Sequence, residues 1–455
     1  MKKTQLASLF ACLATITALL CAPFSAAAAY TLPDSVKLSA QSALVVSLSP
    51  DPKDDVVLFE QNPDTKLSPA AVVRVMVGAL ALEIIKEKGL DMDKATGTYD
   101  ASCDAVITGT GLAVAGMQLK TNETWTLRDL VTAALILPAA DACVTLAVTL
   151  AGSNTAFIAK MNEKAKALGC TNTNFANVHG LDAANQYTTA ADMYKIMRYA
   201  MNFAEFATIM KLSQYTLNPV SGGTKRTMVN QNPMVRPSAP QYYSPMTMGR
   251  TGVSDFSGRA MVSVAKDSSY EYMVIVLGCK GEGEDASSVH YTDTKALFKW
   301  AFNNFELKTL LSRSEPLDEI AVTLAWDRDT VALVPAKEFV TVVANDLSAA
   351  TVIKKTTLYQ QSVAAPVEAG TPLGKVELYV NLDQKIGEVE LVAAESVERS
   401  QILDLWEKTK RVLKSPWFIA IVILLVALLI GYIILTIVHN HRRRRRRMKR
   451  VTKYK

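Results

Sequence analysis

The chain has 455 residues, room for two or three cores, with 49 basic and 43 acidic residues and a formal net charge of +6. That excess sits at the ends: Lys2 and Lys3 open the chain and ten Lys and Arg follow Ser415, so the remainder carries 37 basic against 43 acidic residues, net −6. A mildly acidic body argues against nucleic acid as its partner, and four histidines without an H-E-x-x-H give no support to a metal centre, so neither metal nor cofactor is expected.

The opening MKKTQLASLFACLATITALLCAPFSAAAAY places two lysines before an apolar run that ends in small residues. This is the pattern of a secretory signal peptide, over residues 1–29. Cys21 follows Leu20, a bulky residue where a lipid-modified cysteine wants a small neighbour. Beyond the signal, Cys103, Cys143, Cys170 and Cys279 are widely spaced with no C-x-x-C. A zinc site is therefore not expected, while disulfides and buried free thiols both stay open.

SALVVSL and VVLFEQ, around 42–61, read as paired strands joined by the turn-rich PDPKDD. Helical patterns follow at 71–88, 127–150, 154–168 and 189–202. RAMVSVAK and EYMVIVLGCK return to strand, and TDTKALFKWAFNNF closes with a helix. Strands at both ends of residues 30–306, with helices between, predict a sheet closed by the two ends and an inserted helical lobe. From 313 to 400 the texture changes to EIAVTLAW, FVTVVAN, KVELYVNL and EVELVAA, a small all-β domain.

A juxtamembrane segment, 401–416, leads into WFIAIVILLVALLIGYIILTIV, which begins at Trp417, ends at Val438 and contains no charge. A helix of that length crosses a bilayer. The tail, 439–455, holds six consecutive arginines from Arg442 to Arg447. Such a run stays on the cytoplasmic side and attracts anionic lipid. The expectation is a single-pass protein of the cell membrane with its body on the extracytoplasmic side.

Three stretches carry the chemistry. KLSPAAVVRVMVGALALE, residues 66–83, is apolar behind Pro69 except for Arg74 and the closing Glu83, and taken alone it is a core helix. ALILPAADACVTLA and MGRTGVSDFSG follow in order, with VHGLD, residues 178–182, between them. In these stretches, and from about Ala40 to Glu306 around them, the chain resembles the serine D-Ala-D-Ala carboxypeptidases of peptidase family S11, the small penicillin-binding proteins. Their motifs are Ser-x-x-Lys on a helix, Ser-x-Asn in the lobe and Lys-Thr-Gly on a strand. The resemblance implies a penicillin-binding transpeptidase, β-lactamase-like fold. That is an α+β or α/β class with a central antiparallel sheet and helical lobe, followed by the family's small β domain.

It also implies acyl transfer, in which a serine hydroxyl attacks the penultimate D-Ala carbonyl and a lysine one helical turn later takes its proton. Here the first motif reads Ala71-x-x-Arg74, with no nucleophile and a guanidinium that cannot act as a base near neutrality. The second reads Pro138-Ala139-Ala140, followed by Asp141. The third keeps most, as Arg250, Thr251 and Gly252: a cation and a hydroxyl suited to a ligand carboxylate. A relocated nucleophile has poor candidates, since Ser68 precedes Pro69 and Ser263 and Lys266 point to opposite faces of a predicted strand. His179 is expected to be structural.

The leading expectation is a membrane-anchored homologue with no intact catalytic residue, binding peptidoglycan stem peptides or an envelope partner. Its rival is an active carboxypeptidase trimming pentapeptides, and a third reading is a spacer that presents the basic tail.

Overall fold

In the computed structural model, residues 30–110, 116–222, 224–267, 270–380 and 384–451 are described. The signal peptide expected over residues 1–29 lies outside them. Contacts divide the chain into a unit reaching Lys308 that also takes in Val340–Thr351, and a second of Thr309–Phe339 and Val352 onward.

In the first unit, strands β1 (Ser42–Ser47) and β2 (Val56–Gln61) pair antiparallel. A 3₁₀ turn, Ala70–Val73, runs directly into α1 (Arg74–Glu87). The lobe follows with α2 (Leu127–Ile136), α3 (Ala140–Ala151), α4 (Asn154–Ala167) and α5 (Ala190–Ala200). The chain then returns through β3 (Met246–Ser254), β4 (Gly258–Asp267) and β5 (Tyr270–Cys279) and ends in α6 (Val289–Asn304). The five strands form one antiparallel sheet in the order β2-β1-β5-β4-β3, so the two ends of the unit meet where β1 pairs β5, Ser42 opposite Leu277.

Both faces of the sheet are buried at its centre, which is why β1 and β5 run apolar through their middles instead of alternating. Leu44, Val46, Met273 and Ile275 face the lobe helices, and Val45, Val274 and Val276 face Leu297 and Phe298 of α6. The period-two split follows from the pleat.

The expected single helix over 127–150 is two. Leu137 adopts an extended backbone (φ −104°, ψ 164°), the conformation that a following proline imposes, and α3 restarts after Pro138. The four cysteines left open by the sequence are buried free thiols.

The second unit holds strands β6 (Asp318–Thr323), β7 (Thr330–Pro335), β8 (Ile353–Leu358), β9 (Ser362–Ala364), β10 (Pro372–Val380) and β11 (Gln384–Ala393) in a six-stranded sheet ordered β8-β10-β11-β7-β6-β9. After it come α7 (Gln401–Leu413) and α8 (Pro416–Val451). Among the described residues one helix, Pro416–Arg444, is long and apolar enough to cross a membrane. Where the juxtamembrane segment was expected only to link, α7 is a complete helix with Ile402, Leu405, Trp406 and Val412 exposed.

Helices α1 and α2 pack at a glycine. A Cβ on Gly78 would lie 2.3 Å from Cδ2 of Leu135, which is itself fully buried and cannot swing aside. Gly78→Val is therefore expected to cost about 1–3 kcal/mol through overpacking, read as a lower midpoint in chemical denaturation.

Candidate active site

The 178–182 segment and the stretch around Arg250 converge on the backbone of Ala70 and Ala71. Ala70 is fully buried and held at φ +46°, a region that L-residues seldom occupy. Two glycines press on it. A Cβ at Gly180 (φ +86°) would stand 2.7 Å from Ala71 Cα, and one at Gly252 would stand 2.8 Å from Ala71 N. The loop after α4 and strand β3 thus close on the turn at a distance only glycine permits.

Arg74, at the first position of α1, is 5% exposed and points across the lobe. Its Nε and Nη2 donate to the carbonyl of His179 at 3.0 and 2.8 Å, and Nη1 donates to that of Leu137 at 3.0 Å. The cation is thereby used as a clamp between the 178–181 loop and the α2–α3 break. A lysine, a point charge with three donors, has no planar fork to span both.

Pro138 and Ala140 flank the start of α3 and offer no side-chain donor; Ala139 makes no side-chain cap bond to the helix. Asp141 is the polar group that remains. Its carboxylate accepts from the amides of Met117 (3.0 Å), Leu119 (3.1 Å) and Ala142 (2.9 Å), fastening the 116–119 strap to the helix start.

Arg250 projects inward from β3, 1% exposed, with Nε donating to Ala71 O at 3.3 Å and Nη1 to Leu135 O at 2.9 Å. Burial, then the charge of Arg74, presses its pKa below the ordinary arginine value. Thr251 is also engaged: its Oγ1 lies 2.8 Å from His290 Nε2 and accepts from the Tyr291 hydroxyl at 3.3 Å. Both partners come from the first turn of α6 and carry no motif. The one sequence signal for His290 is the scarcity of histidine, and the pairing depends on how α6 lies on the sheet.

The alternative nucleophiles are likewise committed. Ser68 Oγ bonds Asp182, whose carboxylate also takes Ser254 Oγ at 2.7 Å and Asp255 N at 2.7 Å, while Ser68 N donates to Ser257 Oγ at 2.8 Å. Ser263 is fully buried in β4 and donates to Val274 O at 3.0 Å; Lys266 is exposed. His179 accepts from Leu181 N through Nδ1 at 3.2 Å, the geometry of a structural histidine. The arrangement binds backbone carbonyls firmly, and at Ala71 and Arg74 it presents neither a nucleophile nor a base.

Burial, assisted by nearby arginine charge, lowers His179 to about 4 and His290 to about 3. Both stay neutral in the fold, whereas the unfolded chain protonates them near 6.5. Folded pKa values below the unfolded value mean that stability is lost as pH falls from about 6.5 toward these values. The denaturation midpoint is expected to decline between pH 7 and 5, with a shallower decline in His290→Gln.

The sequence profile of the D-alanyl-D-alanine carboxypeptidases matches residues 27–281, and that of the penicillin-binding protein 5 C-terminal domain matches 305–399. D-alanyl-D-alanine carboxypeptidase DacC of Escherichia coli is 28% identical over 357 residues, covering 75% of this chain and 81% of its own. DacF of Bacillus subtilis is 23% identical over 357 residues, covering 78% and 85%. Among solved structures, penicillin binding protein 5 of Haemophilus influenzae superimposes with a TM-score of 0.63 at 22% identity, over 81% of this chain and all of that one. With the profile spanning more than half its length, the chain belongs to the D-alanyl-D-alanine carboxypeptidase family.

Proposed function

We propose that this chain is a catalytically silent, membrane-anchored member of its family that acts in the cell envelope by binding peptidoglycan stem peptide without cleaving it. The observation that carries this reading is the pair Ala71 and Arg74. The position of the attacking hydroxyl holds a methyl group, and the position of the proton acceptor holds a guanidinium already donating to His179 O and Leu137 O. Covalent acyl transfer needs a nucleophile and a way to activate it.

Three features support the anchored, ligand-holding part. Helix α8 exposes an unbroken apolar surface, from Trp417 through Val438, ahead of the arginine run that begins at Arg442. Positive charge beside a span favours the cytoplasmic side, which puts the domains outside. Strand β3 retains the Arg250-Thr251-Gly252 sequence, and Arg250 Nη2 has no hydrogen-bond partner among the described residues. That donor is the recognition element this reading assigns to a peptide carboxylate, and β3 must move to present it.

The full chain in detergent, incubated with a fluorescent penicillin, is expected to show no covalent label; a hydroxylamine-releasable adduct would overturn the reading. Titration with a diacyl-D-Ala-D-Ala peptide is expected to give saturable binding with no D-Ala released. Release of D-Ala that survives Ser68→Ala and Ser263→Ala would identify a working enzyme with another nucleophile, and absence of binding would turn the search to a protein partner.

A further inference from the structure

Of the chain's five tryptophans, Trp125 and Trp300 are buried, and Trp326, Trp406 and Trp417 are exposed. One exposed tryptophan needs no explanation, but these three mark the exit of the chain from the β domain. Trp417 opens the apolar span, Trp406 lies on α7, and Trp326 sits in the β6–β7 turn, 74% exposed. That turn is fastened to the start of α7. Ser400 caps the helix, its hydroxyl accepting from Leu403 N at 3.3 Å, and its own amide donates to Leu324 O at 2.8 Å. Arg328, in the same turn, pairs with Glu395 a few residues before the cap.

Where Trp326 stands relative to a bilayer therefore depends on how α7 is laid. Thirteen residues of helix cover about 20 Å, so an upright α7 would hold the turn far from the span. Its side chains argue for the other arrangement. Ile402, Leu405, Trp406, Val412 and Leu413 recur at helical spacing along one stripe, all exposed, and α7 has no buried residue. Lys408, Lys410, Arg411 and Lys414 supply cations that reach toward headgroup phosphates from the rest of the helix. A helix of this composition lies in the interfacial plane, and α7 enters α8 after Lys414 and Ser415 alone. Lying flat, it brings Ser400, and with it the β6–β7 turn, to the height of the headgroups.

We propose that the β6–β7 turn is a lipid contact of the β domain, separate from the span, with the Trp326 indole seated at the membrane–water interface. The inference rests on the reading of α8 as a membrane anchor. An indole suits that depth, since its ring is apolar and its N–H still finds a polar partner. Asp327 and Asp329 flank the ring and stay in water, which confines the contact to the side chain of Trp326 and to the headgroup layer. Two contacts separated by the length of α7 hold the β domain at a fixed height, whereas a lone span would leave it free to swing.

The test uses the full chain reconstituted into vesicles of phosphatidylethanolamine and phosphatidylglycerol. Their acyl chains are either plain or brominated next to the glycerol, since bromine quenches an indole on contact. The emission of Trp326 is read as the difference between the unaltered chain and Trp326→Phe, and that of Trp417 in the same way from Trp417→Phe. The Trp326 emission is expected to lose most of its intensity in the brominated vesicles. If the Trp417 emission is lost there and the Trp326 emission is equal in both kinds of vesicle, the turn stands in water, and the proposal is overturned with the anchor intact. If neither emission is lost, the anchored reading fails and the proposal with it.

Discussion

The backbone of Ala71 is the point on which the first unit is assembled. Gly180 approaches from the lobe and Gly252 from the sheet, each so close that a single methyl would collide with the turn. This contact positions α1 against β3 and strains Ala70 into a left-handed backbone. Strain of that kind persists only where the surroundings over-determine it. Here they do: Ala70, Val72 and Val73 of the turn are buried with Ala71 half-buried between them, α1 behind it is buried along nearly its whole length, and Arg250 bonds the Ala71 carbonyl.

The arginines make that frame rigid. A lysine reaches one place with a compact, strongly hydrated charge, whereas a guanidinium distributes five N–H groups over a plane and tolerates burial better. Arg74 uses this to join two loops that share no backbone bond in its vicinity, and Arg250 uses it to join β3 to the 3₁₀ turn and to the end of α2. The gain is cohesion, and the electrostatic cost is two cations in one interior.

Much of the fold was legible because it depends on periodicity. SALVVSL, EYMVIVLGCK and TDTKALFKWAFNNF became β1, β5 and α6 within a few residues, and the β-rich run after 313 became a six-stranded sheet except for FVTVVAN, whose strand Phe339–Ala344 pairs outside it. The break at Leu137 was hidden because apolar residues continue through it, although Pro138 was its physical cause. The stretches around Ala71, Pro138 and Arg250 could also be singled out along the chain. What each remaining side chain touches was not. Thr251 meets His290 and Tyr291 across 39 and 40 positions, and Arg74 reaches a carbonyl 105 residues away. Such pairings follow from how α6 lies on the sheet and where the 178–181 loop turns, which no local pattern encodes.

This difference changes what the surviving motif letters mean. In sequence, Arg250, Thr251 and Gly252 together look like a ligand site. In the fold Gly252 has the strictest requirement of the three, because its missing Cβ is what allows β3 to meet Ala71. Thr251 is engaged with His290 and Tyr291 before any ligand arrives, and of Arg250 only Nη2 is uncommitted among the described residues. A motif can therefore remain readable for reasons of packing after its chemistry has no partner. The informative atom is then the one left without a bond. At this site that atom is Arg250 Nη2, a donor enclosed between β3 and the end of α2.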